Sequence, residues 1–463
     1  MLEPVCQADV DVVIVGAGAA GLAAAQHLTR AGLTTVVLEA APTVGGRMST
    51  EKVDGFRLDR IGRLLSTSYP ELRRTPGLDG LTLRSFSPGV LLHSDGRHHR
   101  AGALTPRSAR GALTAARALA SAPRLPRAGT RSASRPSRSQ TGVPRPGGPL
   151  GGPLDQTRLT AALARLAATP PERLLTRPEL PAARALAARG LPPRTVDGFL
   201  RPLLAALLCD PGLTASSRAA DLALHSFASG RLCLPEGGAD TLPELLAASL
   251  PPGTVRTGVQ VTAVSTTTVT TRDHGRLTCR AILLATGARD AARLLPGLRV
   301  PVFHPVTVLH HTTDEPPLTE PALLLDADRG GPVAHTAVVS QVDPSRAPAG
   351  RVLISSTVLG VPPSAAQLDA AVRAQLARLY GTPTSRWELL AVHHTPDAVP
   401  AMPPPHDLRR PVRLLAGLYV CGDHRDTGTL QGALHSGRRA AQALLADLGV
   451  RPAAAEEPLE AAA

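Results

Sequence analysis

Asp11-Val12-Val13-Ile14-Val15-Gly16-Ala17-Gly18-Ala19-Ala20-Gly21 is the stretch that decides the fold of this chain. Asp11–Val15 is a short β-branched run, as in a buried parallel strand. Leu22–Arg30 is alanine-rich and reads as a helix that stops near Gly32. Thr35–Leu38 is a second strand, closed by Glu39. Each glycine has its own task. Gly16 permits the tight turn, Gly18 lets backbone approach a diphosphate, and Gly21 lets the helix lie close to the strand. The phosphates then face the free N–H groups of Ala19 and Ala20 and the positive end of the helix dipole. Glu39, 18 residues past Gly21, can accept from a ribose 2′-OH and repels a 2′-phosphate. A lone GxGxxG also fits a merely tight turn. Here strand, helix and acid all agree on a dinucleotide site.

The next residues specify which dinucleotide. Thr43-Val44-Gly45-Gly46-Arg47 follows Glu39 directly. This pattern resembles the flavin-containing amine oxidase superfamily, which also holds protoporphyrinogen oxidases and phytoene-desaturase-like enzymes. The resemblance implies FAD, with Ala40 beside Glu39 and with Gly46 and Arg47 closing on the pyrophosphate. It continues in Phe56–Gly62, which would pass beside the flavin with Asp59 and Gly62. Val261 falls where the family reads adenine through backbone atoms. Leu234–Gly238 resembles the turn before a helix, and Ile282–Gly287 the stretch that returns to the FAD domain. Tyr419–Asp423 resembles the closing motif, with Gly422 and Asp423 at the ribitol. Leu430, Gln431 and Ala433 would place a helix N-terminus at the flavin pyrimidine ring. Read alone, Arg47 also fits a surface arginine after a turn, and Asp423 an N-cap. The matching segments span roughly residues 10–62, 230–290 and 386–440, and the middle matches loosely. No cysteine or histidine sits in an attachment motif, so the FAD is expected to be non-covalent.

The expected fold class is α/β: a discontinuous Rossmann-type FAD-binding domain with an inserted α+β substrate domain. A chain of 463 residues is too long for one ordinary core. The FAD domain is assigned to 1–75, 228–298 and 408–450, and the substrate domain to 76–227 and 299–407. Helices are expected over Leu159–Ala168, Pro181–Ala188, Val196–Leu208, Ser364–Tyr380 and Leu430–Leu448, and a last strand over Leu414–Cys421.

Net charge is +13, and nine arginines between residues 101 and 154, with no acid, carry most of it. Codon bias explains an arginine-rich chain with one lysine; an anionic partner is the functional alternative. Residues 121–153 read as a flexible Arg/Pro/Ser-rich insertion, with peripheral contact to an anionic membrane as its other reading. Residues 452–463 read as a disordered tail. Near-neutrality elsewhere argues against nucleic acid. Five cysteines without a CxxC pair argue against a disulfide framework or zinc site. No secretory leader or spanning helix is visible, so the chain is expected to be cytoplasmic, with or without peripheral membrane contact.

Substrate is less legible. Amine oxidases of this resemblance commonly place a lysine near the flavin and aromatic rings around the amine. Lys52 is the only lysine, and Tyr69, Tyr380, Tyr419 and Trp387 are few for a cage. Asp197–Leu204, Phe227–Pro235 and the segment from Trp387 to Pro400 resemble desaturase-like and protoporphyrinogen-oxidase-like members. Phe199–Leu208 alone also reads as a core helix. A small hydrophobic substrate is therefore the first expectation. A flavin amine oxidase for a small amine or polyamine, and a non-catalytic FAD-binding or membrane-docking protein, are the alternatives. His310, His311, His393, His394, His424 and Arg425 are polar candidates, but none is assigned a catalytic role. No metal site is expected, and the electron acceptor is left open.

Overall fold

The computed structural model describes residues 10–103, 148–361 and 364–450. Cys6, residues 112–120, whose alanine-rich composition favours a helix, residues 121–147 of the insertion and the tail 452–463 lie outside the described residues, as do all nine arginines of the basic segment.

Three distant segments build the first sheet. Val10–Val15 lies parallel between Thr35–Leu38 and Arg276–Leu284. Val255–Arg256 and Leu418–Val420 extend it in parallel on either side. The parallel strands are buried on both faces, as their unbroken apolar runs require. Helices Ala19–Arg30 and Leu430–Asp447 pack together over this sheet.

The second sheet has seven strands, drawn from residues 90–101 and 303–400. Its pairings are antiparallel except where Leu324–Asp326 lies along Val90–Ser94. Side chains alternate between its faces. Leu323 and Leu325 enter a core with helices Pro153–Ala167, Arg201–Leu208 and Ser217–Ser229. Leu324 enters another beneath Ala365–Tyr380.

Two expected elements differ. Leu414–Cys421 is not one strand but two, Arg413–Leu415 and Leu418–Val420, folded back at Gly417 with φ +77°. Val196–Leu208 is not uniform: Val196–Leu200 is a π-helical turn before Arg201–Leu208. Pro202 accounts for this, since it lacks an N–H and its ring crowds the carbonyl four residues earlier.

A buried charge cluster ties the sheets together. Arg346 donates to Asp59 (2.6 Å), Asp343 (3.1 Å) and the Pro235 carbonyl (2.8 Å). Asp59 also accepts from Thr50 Oγ1 and the Ala239 amide, and Asp343 from the Gly237 amide. Burial raises the Asp59 pKa, but Arg346 and these donors outweigh it and hold the carboxyl below its ordinary 3.8. Arg346→Leu leaves two buried carboxylates unpaired and should cost about 3–5 kcal/mol in urea unfolding. Because the Asp59 pKa is depressed, its stabilisation is present above pH 3.8 and lost on acidification below it. In Asp59→Asn that part of the acid-unfolding profile should flatten.

Candidate functional site

The glycine turn after Val15 carries three different constraints. A Cβ on Gly16, where φ is +105°, would stand 3.0 Å from the Ala285 backbone, and one on Gly21 would stand 2.2 Å from the Gly16 carbonyl. Both positions are fixed by protein packing. Gly18 is different: its φ is −77°, and an added Cβ would meet nothing within 4 Å. Neither strain nor packing accounts for a glycine there, so its reason faces outward. Gly18 is also the N-cap of Ala19–Arg30 and offers no side-chain cap, which leaves first-turn amides open to a ligand.

A cavity of about 840 Å³ opens at this point. Gly16, Gly18, Ala19 and Ala20 form one part of its wall, and Gly46 and Arg47 another. The two glycine turns abut: the Gly45 amide donates to the Ala17 carbonyl at 2.9 Å. Glu39, Ala40 and Val261 line the cavity, as do Asp59, Gly62, Gly422, Asp423, Leu430 and Ala433. The Glu39 carboxylate is held by the amides of Ala17 (2.7 Å) and Ala41 (2.9 Å). Two residues singled out on the sequence are not among the lining residues. Gly21 packs against Gly16, and Gln431 accepts from the Glu71 amide at 3.0 Å.

Arg47 and Asp423 form a bidentate pair, at 2.8 and 2.6 Å, and Arg47 also donates to the Ala398 carbonyl. Burial opposes ionisation of Asp423, but Arg47 outweighs it and keeps the carboxyl below its ordinary range. The pair ties the second glycine turn to the last strand and to the strand Glu388–Pro400. Asp59 lines the cavity with its oxygens engaged by Thr50, Ala239 and Arg346.

Sequence reasoning assigned no task to several other lining residues. Arg63 donates to the Gly428 carbonyl (2.6 Å) and to Cys209 Sγ (3.0 Å). Arg289 pairs with Asp397 at 2.5 Å and stands 5.5 Å from the Phe303 ring centre. Arg63 and Arg289 lie just beyond the segments Phe56–Gly62 and Ile282–Gly287, and no local pattern marks Phe303.

The candidate histidines are engaged elsewhere. His310 donates from Nε2 to the Asp59 carbonyl and accepts from Ser355, and burial pushes it down to about 4. His311 meets Asp369, His393 meets Glu51 and His394 meets Thr307. Burial also takes His424 down to about 4. One His-carboxylate cluster among the described residues, His93, Asp326 and Asp328, brings ligand-type atoms within 4.8 Å of one another. The Arg378 guanidinium already occupies it, bonded to Asp326 at 2.6 Å.

Comparison with known proteins gives this cavity its context. Residues 19–445 match the family model for flavin-containing amine oxidoreductases. The chain belongs to this family. It is thus an FAD-dependent oxidoreductase. It is 44% identical to putrescine oxidase of Kocuria rosea over 100 residues, 21% of each chain. It is 31% identical to hydroxysqualene dehydroxylase of Rhodopseudomonas palustris over 172 residues, 36% of this chain and 38% of that one. The chain thus covers only about a fifth to two-fifths of these relatives' lengths. The fold is similar throughout to cyclohexylamine oxidase from Brevibacterium oxydans, with TM-score 0.66, 19% identity and coverage of 95% and 100%. Putrescine oxidase bound to putrescine gives TM-score 0.63 at 19% identity, with coverage of 94% and 99%. Among the described residues, no helix is long and apolar enough to cross a membrane.

Gly18→Asp should abolish flavin uptake, read as loss of flavin absorbance after purification, while urea unfolding of the flavin-free protein stays near wild type. Gly21→Val should lower that unfolding midpoint, because its side chain strikes the Gly16 carbonyl.

Proposed function

We propose that this protein oxidises a C–H bond of a hydrophobic substrate, with FAD in the cavity described above. One observation supports the choice of substrate. Away from the glycine turns, the lining includes Ile61, Leu65, Phe303 and Ala398, whereas Lys52 is exposed on the hairpin Thr50–Asp59 and does not line it. Tyr380 and Trp387 lie in the core beneath Ala365–Tyr380 and Tyr419 in the first sheet, so Phe303 is the one aromatic residue among the lining residues. An amine held between rings and served by a lysine lacks its partners there.

In this reading, first-turn amides at Ala19 and Ala20 hold the diphosphate, with Gly46 and Arg47 opposite. Glu39 and Ala40 hold the adenosine ribose, and Val261 the adenine. Gly62, Gly422 and Asp423 flank the ribitol and ring. Bound FAD supplies the acceptor for the substrate's hydride. Leu430–Asp447 begins at the cavity wall, and its N-terminal dipole favours negative charge at Leu430 and Ala433. Asp59 and Gln431 position backbone around the site. The FAD-binding part is assigned to 1–75, 228–298 and 408–450, with 76–227 and 299–407 forming the substrate side. The described cysteines are buried and free, which suits the cytoplasm.

The alternative, oxidation of a small amine or polyamine, is favoured by the putrescine oxidase match. Anaerobic mixing decides between them: the flavin should bleach with isoprenoid or porphyrinogen substrates and stay oxidised with putrescine or cyclohexylamine. The reverse pattern would assign an amine oxidase, and no reduction by either panel would leave a binding protein.

A further inference from the structure

Immediately after Asp423 the chain turns through His424 and Arg425, and this turn meets the loop that carries Arg409 and Arg410. Arginines clasp the two together through backbone carbonyls. Arg425 donates to the Pro411 carbonyl, and Arg410 to the His424 carbonyl at 3.4 Å. Arg439, from the final helix, donates to the carbonyls of Arg409 (3.1 Å) and Arg410 (2.9 Å) and pairs with Asp426. Arg299 stands within electrostatic reach of Arg410. Among the described residues, Arg299, Arg410 and Arg425 make no ion pair, and Arg425 Nε is buried without an acceptor.

Arg410 and Arg425 are half-buried. Burial first, then neighbouring guanidiniums, pulls both below their ordinary pKa; Asp407 opposes this for both without reversing it. Each side chain makes one bond to the protein, which leaves several of its five N–H donors unspent. The forks are fixed in place by carbonyls, so little freedom is lost when an anion arrives.

We propose that Arg410 and Arg425 bind a phosphate group. A tetrahedral dianion can take one fork from each of two arginines and offsets more than one positive charge, which a single carboxylate does not. Half-burial fits a compact headgroup rather than a broad acidic surface. The phosphate comes either from a soluble phosphorylated compound or from a phospholipid.

Inorganic phosphate titrated calorimetrically into the FAD-loaded full chain, whose dinucleotide site is filled, should show a single saturable site. Affinity should fall about tenfold in R410Q or R425Q and stay unchanged in R409Q. If either glutamine variant loses flavin absorbance, R410K and R425K serve instead, keeping charge but losing the fork. Co-sedimentation with phosphatidylglycerol vesicles but not phosphatidylcholine vesicles, abolished in the double variant, would identify a lipid headgroup. Phosphate binding without co-sedimentation would identify a soluble ligand. Absence of saturable binding to the wild-type protein, or equal affinity in the double variant, overturns the proposal.

Discussion

The structure depends on how closely backbone can approach backbone around the first helix. A side chain on Gly21 would stand 2.2 Å from the Gly16 carbonyl, and one on Gly437 would stand 2.3 Å from the Ala20 carbonyl. Two glycines, over four hundred residues apart, therefore let Ala19–Arg30 lie against both its own strand and Leu430–Asp447. This packing sets the direction of both helices. Their N-termini, at Ala19 and Leu430, line the same cavity. Two positive helix ends on one wall make that cavity suited to an anionic occupant before any charged side chain is considered.

Charged side chains then serve mainly to hold segments together. Arg346 binds Asp59 and Asp343, which brings the hairpin Thr50–Asp59 and the turn Pro235–Ala239 to the second sheet. Arg47 binds Asp423 and the Ala398 carbonyl, so residues from both sheets meet at the cavity edge. Arg438 grips the fully buried Glu71 with two bonds, at 2.9 and 2.7 Å, and fixes the final helix against the start of Glu71–Arg74. Apart from Arg346–Asp343, which are three positions apart, each pair bridges residues more than a hundred positions apart and so welds discontinuous pieces of chain rather than stiffening one element.

This division explains what the sequence made legible. The βαβ start could be read because a buried parallel strand, a glycine turn and an alanine-rich helix are local and periodic. Gly18 could be assigned a ligand-facing task from spacing alone, and the geometry leaves it no structural task. Arg63 and Arg289 stand just past two recognised segments, after Gly62 and Gly287, but nothing local shows that the fold brings Phe303 to the same cavity. The tasks given to Arg47 and Asp423 were read separately, although the two side chains pair; a contact spanning 376 residues has no local signature. The Leu414–Cys421 run looked like one strand because Ala416-Gly417 is apolar enough to pass unnoticed. The turn needs only Gly417 at positive φ, which composition does not reveal.

The buried histidines are poor proton carriers. His310, His335 and His424 are pushed down to about 4, chiefly by burial, so each is neutral near pH 7. None of them lines the cavity. The polar groups among its lining residues are guanidiniums, carboxylates held by them or, at Glu39, by backbone amides, the Gln260 carboxamide, hydroxyls and backbone amides. Such groups bind and orient charge but exchange protons poorly at neutral pH. A wall of this kind would serve the hydride half of the proposed oxidation, which asks the protein for position and electrostatics; the proton that the oxidised substrate must also lose would pass to solvent.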